Sequence, residues 1–209
     1  MAANRAEVLV SGRQKTAFEP GEAMPITTQQ FMSHVRENPV NDRLLSTLPS
    51  LGLPHCALTA GCLFQTVWNL KSGNEPGHGI KDYDVFYFDD SDLSWEAEDQ
   101  AIRRAKDALG ELSEKVEIKN QARVHLWYSE KFGRPYPILR KVEDGIDRYL
   151  ISCTRLGINV ADCRVYSPDK FDDMWNGVLR INPLNAQPDL FRNKCQEYLS
   201  RWPWLVIAA

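Results

Sequence analysis

The sequence predicts an α+β protein in which a mixed β-sheet is flanked by helices. Segments with apolar residues at helical spacing alternate with short apolar or aromatic segments that are typical of strands. The alternation lacks a regular βαβ rhythm, which argues against an all-parallel sheet. A chain of 209 residues, of which 43% are hydrophobic, is long enough to bury a substantial core.

Composition excludes several classes of protein. The chain carries 25 Lys and Arg against 28 Asp and Glu, a net charge of −3, which argues against long DNA as a partner. No apolar stretch approaches the roughly 18 residues of a membrane-spanning helix, and the first residues lack the apolar centre of a secretory signal. We therefore expect a cytoplasmic protein with no membrane partner, whose five cysteines are reduced thiols.

The first elements are predicted from their capping and turn residues. Residues 1–25 are polar and rich in Gly and Pro, and we predict a mobile N-terminal arm followed by a single domain over residues 26–209. Thr27 or Thr28 can cap a first helix that ends at the Asn38-Pro39 break. Leucines at helical spacing predict a second helix around residues 41–48.

The middle of the chain predicts the elements that carry the candidate site. Residues 55–60 are short and apolar, as in a buried strand, and Gly61 separates them from a helix over residues 62–70. After a turn-rich loop, residues 80–88 predict an aromatic strand and residues 96–109 an amphipathic helix. Residues 116–128 predict one long or broken strand, and another strand is expected within residues 156–165.

Two carboxylates stand two residues apart at the aromatic strand. Asp82 and Asp84 should project from one face, while Tyr83, Val85 and Tyr87 project from the other. Neighbouring buried carboxylates repel each other unless one keeps a proton or a cation lies between them. Oxygen ligands at this spacing favour a hard ion such as Mg²⁺. Two solvated aspartates at a strand end are the alternative.

A third carboxylate is available in the next predicted strand. If residues 116–126 run straight, five polar side chains share one face: Glu117, Lys119, Gln121, Arg123 and His125. Such a face is either an exposed edge or the floor of a polar cleft, and the sequence leaves both open. Lys119 and Arg123 are then phosphate contacts or ordinary solvated charges, and His125 is a proton shuttle or a structural histidine.

These motifs resemble those of a known superfamily. Gly61-Cys62, the residues 80–85 (IKDYDV) and Val116-Glu117 are similar to the hG[GS]…Dh[DE]h…h[DE]h pattern of DNA polymerase beta-type nucleotidyltransferases. The runs AGCLFQTVWN, NQARVHLWY, FGRPYP, RINP and RWPWL extend a closer resemblance, to a small bacterial nucleotidyltransferase-like family, over residues 44–205. Cys62 departs from the usual Ser or Gly, and the spacer 63–81 is longer than usual.

The resemblance implies a nucleotidyltransferase fold and chemistry. Mg²⁺, or Mn²⁺, would be held by Asp82, Asp84 and Glu117, and a nucleotidyl group would pass from a nucleoside triphosphate to a hydroxyl acceptor. A small-molecule acceptor is favoured over a protein hydroxyl or an RNA end. The candidate nucleotide contacts are Gly61, Cys62, Gln65, Lys119 and Arg123.

The same residues allow two other hypotheses of function. A non-catalytic nucleotide-binding module could retain the fold. A thiol hydrolase could use Cys62 at a helix N-terminus as nucleophile, with His125 as base and Asn120 as the residue that orients it. The second alternative leaves both aspartates without a role.

Overall fold

The computed structural model describes residues 26–208, so the predicted arm over residues 1–25 lies outside the described residues. Eight helices are found in this part: α1 (Thr28–Glu37), α2 (Pro39–Thr47), α3 (Gly61–Lys71), α4 (Trp95–Leu109), α5 (Val124–Phe132), α6 (Val142–Ile146), α7 (Asp172–Asn176) and α8 (Pro188–Arg201). The same part holds seven strands: β1 (Ala57–Thr59), β2 (Tyr83–Tyr87), β3 (Val116–Asn120), β4 (Gly157–Asn159), β5 (Val165–Tyr166), β6 (Val178–Leu179) and β7 (Val206–Ile207).

Capping residues set the helix starts that the sequence predicts. Thr27 caps α1 through a reciprocal pair of hydrogen bonds with Gln30, and the Asn38 side chain caps α2 just before Pro39. Ser94 accepts from the Ala97 N–H at the start of α4, whose first turn carries Glu96 and Glu98.

The main sheet is mixed, as predicted. Its strand order is β3-β2-β1-β4-β5, with β2 and β3 parallel and the other neighbours antiparallel. Helix α4 connects the two parallel strands, and β6 and β7 form a separate two-stranded parallel sheet. The fold is therefore α+β, with one βαβ crossover at the edge of an otherwise antiparallel sheet.

The two faces of the sheet differ in what covers them. Leu58, Val85 and Ile118 pack into the main core, beneath α1 to α4. On the other face Ala57 and Phe86 meet α6 in a smaller cluster. Since Thr59 and Asp84 alternate with the core residues of β1 and β2, they share this second face.

One predicted element is wrong. The strand expected over residues 116–128 ends at Asn120, whose side chain accepts from the Ala122 N–H and starts a 3-10 turn over Gln121–Arg123, followed by α5. Glu117 and Lys119 therefore share a strand face as predicted, but Gln121, Arg123 and His125 do not continue it. Within residues 26–208 no helix combines the length and the apolar character that crossing a membrane requires.

Candidate active site

A cleft of about 360 Å³ opens on the second face of the sheet, next to β2. One part of its lining comes from the N-terminus of α3 and from the two aspartates of the Asp82-Tyr83-Asp84 segment. The remainder comes from Tyr128 of α5, the segment after α6, and α8 with the turn before it. The lining residues are Ala60, Gly61, Phe64, Gln65, Asp82, Asp84, Tyr128, Arg148, Tyr149, Leu150, Ile151, Thr154, Asn185, Gln187, Leu190, Lys194 and Tyr198.

Asp84 is the most perturbed acid of the cleft. It lies opposite Thr59 in β1 and Glu117 in β3. Burial raises the pKa of Asp84 to about 6; Lys119 and Lys194 oppose the shift, and the charges of Asp82 and Glu117 add to it. A carboxylate in this position is stabilised by any cation that reaches it.

The donor chemistry of the cleft fits a divalent cation at two residues. In the described part of the chain neither the Asp82 nor the Asp84 carboxylate makes a hydrogen bond or an ion pair, and both face the cleft. Paired oxygen donors without protein partners suit Mg²⁺ or Mn²⁺. The fit does not extend to a closed protein cage, since residues 26–208 contain no group of three His, Cys, Asp or Glu placed to hold a metal.

Glu117 lies beside Asp84 but is engaged elsewhere. Its side chain is half exposed and forms an ion pair with Lys119 two residues along the same strand. Glu117 does not line the cleft, so its predicted role as third ligand requires its carboxylate to leave Lys119.

The turn into α3 brings a helix N-terminus to the aspartates. Ala60 has φ 54°, an uncommon conformation for a residue with a Cβ, and such strain is found mostly at functional sites. At Gly61 a Cβ would lie 2.8 Å from Gln65 Nε2, so a larger residue at position 61 would displace the end of the flexible Gln65 side chain. Gly61 and Gln65 both line the cleft, so the first turn of α3 lies beside the aspartates, and a helix N-terminus favours negative charge. Contact of these two residues with a nucleotide stays a prediction.

The structure argues against a thiol enzyme. Cys62 is fully buried, and its Sγ donates to the Thr59 carbonyl at 3.4 Å. Burial, helped by the charge of Asp84, holds the pKa of the Cys62 thiol well above its usual value. A nucleophilic cysteine needs the opposite shift. The side chain of Cys62 packs in the core, so only its backbone remains available to a nucleotide.

Lys119 and Arg123 are not brought to the cleft. Lys119 lies on a separate open groove between α4, β3 and α5. Arg123 is buried, pairs with Glu98 of α4 and donates to the Leu93 carbonyl at 3.0 Å. Arg123 therefore has a structural role in the described chain. It reaches Glu98 because a 3-10 turn and helix α5 follow Asn120, where a continuing strand was predicted. His125 lies on α5, with Nδ1 buried and unpartnered.

Residues after position 127 supply much of the cleft, and sequence reasoning missed them. Arg148, Gln187 and Lys194 come from three segments that carry no motif of the superfamily. The sequence contained one indication of this wall of the cleft. The RINP run at residues 180–183 is part of the closer family resemblance, although the sequence alone gives it no function. In the structure its Asn182 is fully buried and hydrogen-bonds to the backbone beside Arg148.

Comparison with known proteins places the fold and the family. No curated protein matches the chain. A solved structure whose title reads "The NMR structure of the protein reveals a CCA-adding enzyme head domain" shares 23% identity with it, with a TM-score of 0.68 over 86% of this chain and 95% of that one. The similarity shows a common fold. The sequence model of a family described as nucleotidyltransferase matches residues 46–207, which contain the cleft and both aspartates, and the chain therefore belongs to this nucleotidyltransferase family.

Proposed function

We propose that the protein is a metal-dependent nucleotidyltransferase that moves a nucleotidyl group from a nucleoside triphosphate to a hydroxyl group of a small molecule. The observation that carries the proposal is the Asp82–Asp84 pair, which faces the cleft without a protein partner beside the N-terminus of α3. Family membership supplies the reaction class.

Each part of the cleft has a task in this reaction. Asp82 and Asp84 would hold Mg²⁺ or Mn²⁺, which would neutralise the phosphates and make the α-phosphorus more electrophilic. The backbone at Gly61 and Cys62 would receive phosphate oxygens, and Gln65 would contact the nucleotide. The acceptor oxygen forms a bond to the α-phosphorus, the bond to pyrophosphate breaks, and the hydroxyl proton leaves to a base, for which Glu117 is the proposed residue.

Label transfer tests the proposal directly. The purified protein is incubated with each of the four α-labelled ribonucleoside triphosphates, Mg²⁺ or Mn²⁺, and a small-molecule cell extract. We expect labelled product and released pyrophosphate, both reduced at least 100-fold by Asp82→Asn or Asp84→Asn. Asp107→Asn, an exposed change on α4, is the matched control and should retain full activity.

The Glu117–Lys119 ion pair favours one alternative, a nucleotide-binding module without catalysis. Such a module would bind nucleotide with metal, measured by calorimetry, but transfer no label with any nucleotide or metal. If wild-type protein neither binds nor transfers, the proposed function is wrong.

A further inference from the structure

A polar wall of the cleft is held in place by two asparagines. Asn182 Nδ2 donates to the carbonyls of Asp147 at 2.7 Å and Tyr149 at 2.6 Å, and Asn185 Nδ2 donates to the Arg148 carbonyl at 2.5 Å. Three consecutive carbonyls are thereby fixed by side chains from one turn. We call this arrangement, Asn182 and Asn185 on residues 147–149, the asparagine clamp.

Arg148, at the centre of the clamped segment, has no acidic partner. Its guanidinium lies over the Tyr136 ring, 4.9 Å from the centroid, and its Nε is buried without a hydrogen bond. Within residues 26–208 Arg148 forms no ion pair, and its side chain makes no hydrogen bond. Only Nε of the guanidinium is buried, since Arg148 as a whole is partly exposed, and a cationic side chain in a cleft without an acidic partner favours binding of an oxyanion.

Gln187 lines the same cleft, and a hydrogen bond to Asn185 fixes the orientation of its side-chain amide. Since Asn185 Nδ2 donates to the Arg148 carbonyl, Asn185 Oδ1 is left to accept, and it accepts from Gln187 Nε2 at 2.6 Å. Gln187 Oε1 is therefore the free end of the amide, and it is buried and unpartnered. It requires a donor such as a hydroxyl group.

The unpartnered polar atoms concentrate at this cleft. Five buried side-chain atoms in the described chain lack a hydrogen-bond partner, and those of Gln65, Arg148 and Gln187 belong to residues that line it. Gln65 itself is only 9% exposed. Buried polar groups of folded proteins are almost always paired, so these three residues have hydrogen-bonding capacity that the described protein atoms do not satisfy.

We propose that Arg148 binds an anionic group of the acceptor, a phosphate or a carboxylate, while Gln187 accepts from one of its hydroxyl groups. The inference rests on the proposed function and names its acceptor class: an anionic polyhydroxy small molecule. The triphosphate is assigned to Asp82, Asp84 and the start of α3. Arg148 and Gln187 come from other elements and remain for the second substrate.

Matched ligand pairs test this assignment without knowledge of the natural acceptor. Binding to wild-type protein is measured by calorimetry for glycerol and glycerol 3-phosphate, ribose and ribose 5-phosphate, glucose, glucose 6-phosphate and gluconate, and for inorganic phosphate. We expect an anionic member to bind at least tenfold more tightly than its neutral counterpart. Arg148→Gln should abolish this difference, Arg148→Lys should restore part of it, and Gln187→Ala should weaken the hydroxylated ligands but not inorganic phosphate.

The affinity for nucleoside triphosphate, measured on the same variants, shows whether Arg148 binds the acceptor or the triphosphate. Affinity for nucleoside triphosphate with Mg²⁺ should change less than twofold in Arg148→Gln and fall in Asp84→Asn. Arg192→Gln, an exposed change on α8, is the control for loss of charge, and thermal unfolding shows that each variant is folded.

Each contrary outcome has a distinct meaning. If Arg148→Gln lowers nucleotide affinity tenfold, Arg148 serves the triphosphate and the acceptor assignment is wrong. Absence of binding by every anion at 10 mM also overturns it. If anions bind through Arg148 but nucleotide does not bind at all, the anion site stands and the proposed transferase function fails.

Discussion

At the scale of single residues, Asp84 makes stability and metal binding depend on pH. Its folded-state pKa of about 6 exceeds the ordinary value of 3.8, so the protonated form is favoured by folding. The contribution of Asp84 to the free energy of unfolding is fully present below about pH 4 and is lost as the pH rises through 6. With a chelator present, Asp84→Asn should therefore be more stable than wild type by about 3 kcal/mol at pH 8 and nearly equal to it at pH 4, measured by urea unfolding. Equal stabilities at pH 8 would contradict the raised pKa.

Gly61 allows the side chain of Gln65 to lie close to the start of α3. The Cβ of Gly61→Ala would approach Gln65 Nε2 to 2.8 Å, so Gln65 must move. We expect little loss of stability, about 1 kcal/mol or less, because alanine favours the helix, but a clear loss of nucleotide affinity. The double variant Gly61→Ala/Gln65→Ala removes the overlap. The two changes should then couple by at least about 0.5 kcal/mol in unfolding experiments. Additive effects would show that Gln65 moves freely.

At the scale of elements, the junction of β3 and α5 depends on the Arg123–Glu98 pair. Glu98 accepts from Arg123 and from the Asn120 N–H at 2.8 Å, which ties α4 to the end of β3. Arg123→Ala leaves a largely buried carboxylate without its partner and should cost about 3 to 5 kcal/mol. Nucleotide affinity of the folded variant should be unchanged, because Arg123 does not line the cleft. Loss of affinity without loss of stability would restore Arg123 as a phosphate contact.

The same junction shows why this element was mispredicted. Residues 116–126 alternate polar and apolar side chains almost without a break, which is the strand period. Two local signals oppose it: Asn120 caps the following turn, and Gly133 ends α5 with φ 65°. The capping signals determine the structure here. Their effect is seen in the apolar residues, because Ile118 in the strand is buried against the core whereas Leu126 in the helix is 53% exposed. By contrast, strand β2 and the turn at Gly61 were predictable, because the alternation within the strand and the position of the glycine indicate the same boundaries.

At the scale of the whole molecule, the C-terminal segment closes the core. Trp202 is almost fully buried, packs on Trp68 with ring centroids 5.2 Å apart, and donates from Nε1 to Asn69 Oδ1 at 3.0 Å. Asn69 in turn donates to the carbonyls of Pro76 and His78, so one contact also holds the loop before β2. Trp202→Ala should destabilise the protein by about 3 to 5 kcal/mol in denaturant unfolding, and Trp204→Phe, which retains most of the ring packing, by much less. A loss below about 1 kcal/mol for Trp202→Ala would contradict the role of Trp202 in closing the core.

Only the acidic part of the cleft could be predicted from the sequence, because the other wall depends on the packing of the whole molecule. Its acidic part follows from local sequence, because Asp84 lies in β2 and Asp82 directly precedes that strand. Its other wall joins residues far apart in the chain, such as Arg148 and Gln187, which only the packing of the C-terminal third brings together. Contacts of this kind leave no period or spacing to recognise.

The asparagine clamp has a consequence for substitutions at position 148. Asn182 and Asn185 donate hydrogen bonds to main-chain carbonyls, which every amino acid possesses. These hydrogen bonds to residues 147–149 therefore do not depend on the side chain at position 148. Under the acceptor role proposed for Arg148, a substitution at position 148 should therefore change which anion is bound while the backbone of residues 147–149 keeps its conformation.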